Sequence, residues 1–150
     1  MSAWVMRKAE SNDAEALSIL LAAAYSELVS RIKDIPTMTA ADCLADITTN
    51  EVWIAETSGA IAGVLVVVPQ DGFMQLANVA VHPNYRGAGL GRALMQHLEF
   101  EARRQDFSEL RLTTHVDIPE NIRLYEHLGW ERVDENDNKV LMRKTLRGAS

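Results

Sequence analysis

The sequence has few of the features on which several protein classes depend. It contains one cysteine, Cys43, which excludes an intramolecular disulfide framework. Its longest apolar run, Ala60 to Val68, ends at Pro69 and is far shorter than the about 20 residues that a membrane-spanning helix needs. The first eight residues have no basic start followed by a long apolar stretch. We therefore expect no signal peptide, no membrane partner and a cytoplasmic protein.

Positive charge is also scarce. Lys and Arg number 15 against 21 Asp and Glu, which gives a formal net charge of −6. An acidic chain is poorly suited to binding nucleic-acid phosphates over a wide face, so we expect no nucleic-acid partner. The balance favours a cationic or small-molecule partner instead. The four histidines and the single cysteine show no metal-ligand spacing, so we predict no metal site.

The remaining composition is that of one folded domain over residues 1–150, with 47% hydrophobic and 24% charged residues. Apolar spacing and turn residues predict an alternation of strands and helices. The predicted elements are a strand over Trp4–Arg7, a helix capped by Ser11, a helix over Ala40–Ile47 capped by Thr39, strands over Val52–Glu56, Ile61–Val68 and Phe73–Val81, a helix over Leu90–Gln105, a strand over Leu110–Thr114, a helix opened by an Asp117–Glu120 capping box, and strands over Trp130–Val133 and Lys139–Lys144. Antiparallel hairpins with one strand–helix–strand crossover predict a mixed sheet.

The most informative segment is a glycine-rich loop between a strand and a helix, Arg86-Gly87-Ala88-Gly89-Leu90-Gly91. Glycines allow a sharp turn in which successive backbone N–H groups converge, and the helix that follows adds its unpaired N–H groups and positive dipole end. Arg86 and Arg92 add positive charge, so the segment predicts an anion-binding cradle. The alternative is a plain strand-to-helix turn that uses glycine. The spacing GxGxG is not the GxGxxG of a dinucleotide site, and no Gly-Lys-Ser/Thr of a P-loop follows.

This loop resembles the Q/R-x-x-G-x-G/A signature of the GNAT superfamily of acyl-CoA-dependent N-acyltransferases. The preceding Val79–Pro83 is similar to the fourth strand of that family, and Asn121–Trp130 resembles its closing N-x-x-x-Y-x-x-L-G-aromatic segment. The resemblance implies an α+β fold, with a mixed, mostly antiparallel central sheet that is flanked by helices and splayed between strands four and five. It also implies an N-acetyltransferase that moves the acetyl group of acetyl-CoA to a primary amine by direct attack.

The same resemblance implies roles for individual residues. The backbone of the loop holds the coenzyme A pyrophosphate, the fourth strand pairs with the pantetheine arm, and an N–H near Val81 points at the thioester oxygen. Tyr125 protonates the departing thiolate, or is simply a core aromatic on an amphipathic helix. Asn121 lies near the pantetheine, or is a surface residue of the first helical turn. The implied cofactor-binding residues are Val79, Ala80, Val81, Arg86, Gly87, Ala88, Gly89, Leu90, Gly91, Arg92 and Asn121.

The sequence leaves the general base open. Members of the family often carry a glutamate on the fourth strand, whereas Gln75 to Asn78 contain no carboxylate. His115 either faces the splayed centre as a base or is a half-buried structural histidine. A water chain to a remote carboxylate is the third alternative.

The acceptor and the assembly are open as well. A protein N-terminus or lysine competes with a small amine such as a polyamine, an amino acid or an amino sugar. Glu27 and Asp34, in the connection between the first two helices, either attract a cationic acceptor or are ordinary surface charges. Members of the family are often dimers, so a homodimer stays open. The alternative function is a non-catalytic coenzyme A-binding sensor or interaction module.

Overall fold

A computed structural model describes residues 4–26, 28, 31–32 and 38–146. The elements in chain order are β1 (Val5–Lys8), α1 (Ala14–Tyr25), α2 (Ala40–Thr49), β2 (Glu51–Thr57), β3 (Ala60–Pro69), β4 (Met74–Val81), α3 (Leu90–Arg104), β5 (Glu109–His115), α4 (Pro119–His127), β6 (Glu131–Asn136) and β7 (Lys139–Thr145). This order of strands and helices is the predicted one. Glu27 and Asp34 lie outside the described residues.

The seven strands form one sheet in the order β1-β2-β3-β4-β5-β7-β6. Only β4 and β5 pair in parallel, while the other neighbours are antiparallel. The parallel pair follows from α3, because a helical crossover returns the chain to the same end of the sheet. The prediction of an α+β fold with a mixed, mostly antiparallel sheet is therefore confirmed.

The sheet separates between β4 and β5. Their pairing covers only Met74 to Leu76 on β4, although β4 continues to Val81. A bulge lies at the point of separation: Val66 of β3 pairs with Asn78 and the next residue pairs with Leu76, which leaves Ala77 as the extra residue of β4. A bulge bends its strand and increases the local twist. The predicted splay between strands four and five is confirmed, and the bulge is its structural cause.

Each face of the sheet carries its own apolar core. The core under α3 and α4 includes Leu65, Leu94 and Tyr125, while the core under α1 and α2 includes Leu21 and Val66. Cys43 belongs to the second core with 3% of its surface exposed. The two faces of the opened sheet therefore meet at the gap between β4 and β5.

Gly63 of β3 allows α3 to approach the sheet closely. A Cβ atom at this position would lie 3.0 Å from Leu94 Cδ1, 3.2 Å from Leu90 Cδ2 and 3.2 Å from the Ala80 carbonyl oxygen. Real Cβ atoms rarely have such short contacts, because atoms in protein cores are already close-packed. The start of α3 is consequently held against the end of β4.

Side-chain hydrogen bonds determine how the chain enters α1 and α2. Thr39 caps α2 as predicted, since its Oγ1 accepts the N–H of Asp42 at 3.1 Å and Asp42 Oδ2 accepts the N–H of Thr39 at 3.0 Å. The predicted Ser11 cap is wrong, because a 3-10 turn over Ser11–Asp13 precedes α1. The carboxylate of Asp13 instead accepts the Glu10 N–H at 2.7 Å and pairs with Arg7 at 2.9 Å.

The predicted capping box at the start of α4 is wrong as well. The N-cap is Ile118, and Pro119 is the first helical residue. The Glu120 carboxylate does not fold back onto the helix start but accepts a hydrogen bond of 2.7 Å from Arg31 Nη1. Arg31 also donates to the Asp117 carbonyl at 2.7 Å, so it ties its own segment to the start of α4.

Candidate active site

A cavity of about 660 Å³ opens where β4 and β5 separate. Four residues predicted from the sequence line it: Val79 on β4, His115 at the end of β5, and Asn121 and Tyr125 on α4. The cavity also receives residues from the other face of the sheet, which are Tyr25, Leu28, Ile32, Met38, Asp46 and Asn78. It therefore connects the two faces of the sheet through the gap.

The backbone of β4 faces this gap at alternate residues. The His82 N–H donates to the Ala62 carbonyl of β3 at 2.8 Å. Because backbone groups alternate in direction along a strand, Ala80 also directs its N–H at β3, whereas Val79 and Val81 direct theirs towards β5. Beyond Leu76 the strand register with β5 ends, so these two residues present backbone hydrogen-bonding groups to the gap.

The glycine-rich loop lies beyond the end of β4 and opens into α3. Gly87 and Gly89 have φ angles of 81° and 87°, in the left-handed region that favours glycine. The first hydrogen bond of the helix runs from the Ala93 N–H to the Gly89 carbonyl at 3.0 Å, so the N–H groups of residues 90–92 precede it and point out of the helix start. A Cβ atom at Gly87 or Gly89 would meet no described atom within 4 Å. The loop is thus an open helix N-terminus suited to an anion.

The side chain of Arg86 contacts the end of α1. Its Nη2 donates a 2.8 Å hydrogen bond to the carbonyl of Ala24 in the last turn of α1. Cations are favourable at a helix C-terminus, where carbonyl groups lack helical partners. Arg86 therefore connects the glycine-rich loop to the end of α1, which lies on the opposite side of the gap from α4.

Two tyrosines line the cavity from opposite faces, Tyr125 buried and Tyr25 partly buried. Tyr125 has 8% of its surface exposed, and burial, with a smaller contribution from Tyr25, raises its pKa to about 12. Burial likewise raises the pKa of Tyr25 to about 12. Its hydroxyl donates a hydrogen bond to Asn78 Oδ1. Both phenols are consequently protonated at neutral pH. Sequence reasoning missed Tyr25 because its partner is 53 residues away.

His115 is held at the edge of the cavity by its own loop. Its Nδ1 accepts the Asp117 N–H at 3.0 Å and lies 3.7 Å from Asp117 Oδ2. A neutral imidazole that accepts at Nδ1 carries its proton on Nε2. The unprotonated nitrogen is already engaged, and the side chain is 23% exposed. His115 is thus half-buried, with Nδ1 engaged by its own loop, and its ring lines the cavity.

Asp46 of α2 is a carboxylate that sequence reasoning did not select. It lines the cavity on the face of α1 and α2. Its Oδ1 accepts a hydrogen bond of 3.0 Å from Asn50 Nδ2. Among the lining residues that the structure describes it is the only carboxylate, and Lys139 at the start of β7 is the only ammonium group. No sequence signal distinguishes Asp46 from the other polar residues of α2.

Residues 4–26, 28, 31–32 and 38–146 contain neither a metal cluster nor a membrane-spanning helix. No group of three or more His, Cys, Asp or Glu side chains in these ranges is placed to hold a metal ion. No helix in the same ranges is long and apolar enough to cross a membrane.

The divided sheet and the open glycine-rich helix start define a class of protein, the GNAT fold. Residues 16–130 match the model of the Acetyltransferase (GNAT) family, and the chain belongs to this family. The chain is 30% identical over 89 residues to N-acetyltransferase family 8 member 3 of Rattus norvegicus, an alignment that covers 55% of this chain and 39% of that protein. It is 42% identical over 55 residues to [Ribosomal protein bS18]-alanine N-acetyltransferase of Escherichia coli, covering 37% of each. The matched region thus spans less than half the length of these two relatives.

Solved structures share the fold over almost the whole chain. PaiA N-acetyltransferase from Thermoplasma acidophilum, in complex with coenzyme A, has a TM-score of 0.82 at 18% identity, covering 97% of this chain and 99% of that one. The ribosomal-protein-S18-alanine N-acetyltransferase from Escherichia coli has a TM-score of 0.75 at 20% identity, covering 98% and 96%. At these identities the likeness is one of fold.

Proposed function

We propose that this protein transfers the acetyl group of acetyl-CoA to a primary amine by direct attack within a ternary complex. The observation that carries the proposal is the position of an open, glycine-rich helix start beside a strand that presents free backbone groups to a gap. The helix start suits a pyrophosphate, and the strand suits an extended arm that contains amide groups.

The residues of the loop fit coenzyme A. The N–H groups of residues 90–92 precede the first helical hydrogen bond and lie at the positive end of α3, which is where a phosphate group is best stabilised, whereas the Arg86 N–H donates to the Pro83 carbonyl at 3.4 Å. Backbone groups of Val79 and Val81 would pair with the pantetheine amides as a further strand does. Asn121 lines the same cavity at the start of α4, within reach of such an arm.

The chemistry requires a neutral amine, because a protonated amine has no lone pair for attack. A lysine-type amine has an unperturbed pKa of about 10.4 and an α-amine one of about 7.7–8.0, so the former needs more help to lose its proton. As the C–N bond forms, the N–H of Val81 stabilises the oxyanion, and one such donor contributes roughly 3 kcal/mol. The C–S bond then breaks, and Tyr125, protonated at neutral pH, gives its proton to the thiolate.

We propose a cationic acceptor. Asp46 supplies a negative charge on the acceptor side of the gap, and the chain as a whole carries a net charge of −6. The proton released by the amine leaves through water, with Asp46 as the carboxylate at the far end of the route. A protein N-terminus is the main competing acceptor class, since a bacterial relative is named for acetylating the alanine of a ribosomal protein.

Isothermal titration with acetyl-CoA tests the proposal at its base. We expect one site of micromolar affinity, which corresponds to about −8 kcal/mol. Gly89→Glu should abolish binding, because a negative side chain enters the cradle. Gly89→Ala is the matched control, since it carries the same backbone strain at φ 87° without the charge.

The outcomes separate the function classes. A folded wild-type protein without affinity for acetyl-CoA would refute the proposal. Binding without thiol release from any primary amine would leave the non-catalytic sensor as the function. Undiminished binding by folded Gly89→Glu would remove the loop from the binding site.

A further inference from the structure

Tyr25 and Asn78 form a hydrogen-bonded pair on the acceptor side of the gap. Tyr25 is the last residue of α1, and its hydroxyl donates to Oδ1 of Asn78 on β4. Asn78 follows the bulge at Ala77 and pairs with Val66, a core residue of the α1 and α2 face. Both side chains line the cavity.

The hydrogen bond determines what the Tyr25 hydroxyl can offer. A hydroxyl has one O–H donor and two acceptor lone pairs. Because the Tyr25 O–H is directed at the Asn78 amide oxygen, the lone pairs remain for a ligand in the cavity. An attacking neutral amine has two N–H donors and one lone pair. An acceptor that fixes one N–H also fixes the direction of that lone pair.

The position of the pair relative to Tyr125 fits this role. Tyr125 belongs to the core under α3 and α4, whereas Tyr25 packs against the core under α1 and α2. Both phenols nevertheless line the same cavity. The thioester carbonyl would then lie between the two phenols, with its sulfur on the Tyr125 side and the attacking nitrogen on the Tyr25 side.

The glycine-rich loop holds the end of α1 in place. Arg86, within the glycine-rich segment, donates to the carbonyl of Ala24, the residue immediately before Tyr25. The pair is therefore anchored at Tyr25 by the loop and at Asn78 by the sheet. Such support from surrounding hydrogen bonds is what a positioning group needs.

We infer that the Tyr25 hydroxyl, oriented by Asn78, accepts an N–H of the acceptor amine and directs its lone pair at the thioester carbonyl. This inference rests on the proposed acetyl transfer. The step it serves forms one C–N bond and breaks one C–S bond. The amine nitrogen loses one proton to water, the thiolate takes its proton from Tyr125, and solvent returns a proton to Tyr125. Tyr25 itself exchanges no proton and acts by position.

The test compares Tyr25→Phe and Asn78→Leu with Ser18→Ala as the matched control. Ser18 lies on the same helix and bonds its own helix backbone, Glu15, at 2.7 Å. Thiol release is measured with two probe amines, 1,4-diaminobutane and a short peptide with a free N-terminal alanine. We expect kcat with the better probe to fall about tenfold in Tyr25→Phe and in Asn78→Leu, but not in Ser18→Ala.

Further readouts distinguish positioning from a structural role. Acetyl-CoA affinity should stay at the wild-type value in Tyr25→Phe, and the double variant should lose no more activity than either single variant, because both remove one interaction. A wild-type rate in folded Tyr25→Phe, or losses that merely follow stability and acetyl-CoA affinity, would overturn the inference alone. Turnover of neither probe by wild-type protein that binds acetyl-CoA would overturn both the inference and the proposed amine transfer.

Discussion

Gly63→Ala is the substitution that most directly tests how the sheet positions the glycine-rich loop. The new Cβ would lie 3.0 Å from Leu94 Cδ1 and 3.2 Å from both Leu90 Cδ2 and the Ala80 carbonyl oxygen. The two leucine methyl groups can rotate away, but the carbonyl belongs to β4 and cannot. Overpacking of this kind costs about 1–3 kcal/mol, offset by about 0.5–1 kcal/mol because alanine loses less backbone entropy than glycine on folding. We expect a net destabilisation of about 1–2 kcal/mol.

Thermal unfolding and acetyl-CoA titration measure the two consequences. For a domain of this size 1 kcal/mol shifts Tm by about 2–4 °C, so Tm should fall by several degrees. Affinity for acetyl-CoA should fall as well, since Leu90 begins α3 and the displaced helix carries the cradle with it. Gly91→Ala is the control for Tm alone, because its Cβ would lie 4.0 Å from Val81 Cγ2, an ordinary contact. A Gly63→Ala protein with an unchanged or higher Tm would refute the packing argument.

Two further predictions concern the chemistry. Tyr125→Phe should lower kcat by about 100-fold with acetyl-CoA affinity unchanged, because it removes the proton donor and keeps the buried ring. A wild-type rate in thiol-release assays would exclude Tyr125 from the mechanism. Asp46→Asn should raise KM for 1,4-diaminobutane more than for an uncharged hydroxylamine probe, since only the cation is attracted by the carboxylate. The control is Asp71→Asn, which removes the same charge from an exposed residue between β3 and β4. Equal KM changes for both probes would show that Asp46 does not recognise charge.

The sequence predicted those parts of the molecule that depend on local patterns. The strand order follows from turns such as Ser58-Gly59 and from the apolar period of α3, both contained in short segments. The glycine-rich loop was predicted for the same reason, since its left-handed glycines and the helix that follows are adjacent in the chain. The contacts of its arginine were not predicted, because the Ala24 carbonyl that receives Arg86 lies 62 residues away.

The sequence did not predict the residues that line the cavity on the side of α1 and α2, because no local pattern marks them. Asp46 is one polar residue among several on α2, and only the packing of that helix brings it to the cavity. Asp117 and Glu120 have the spacing of a capping box, but Arg31 provides a bidentate charge-assisted contact that a local cap cannot match. In both cases a tertiary contact decided the outcome.

The bulge at Ala77 explains the gap between β4 and β5. It also explains why simple alternation along the strand would assign the Asn78 side chain to the wrong face of the sheet. Side chains of a regular strand alternate between faces, so Asn78 and Ala80 should share the face of Met74 and Leu76. The structure places Met74 and Leu76 in the core under α3 and α4 but Ala80 in the core under α1 and α2. One extra residue shifts the register by one, which reverses every side chain after it. The same residue that ends the pairing with β5 therefore turns Asn78 towards Tyr25 and leaves Val79 on the side of Tyr125, so a single local irregularity builds both halves of the site.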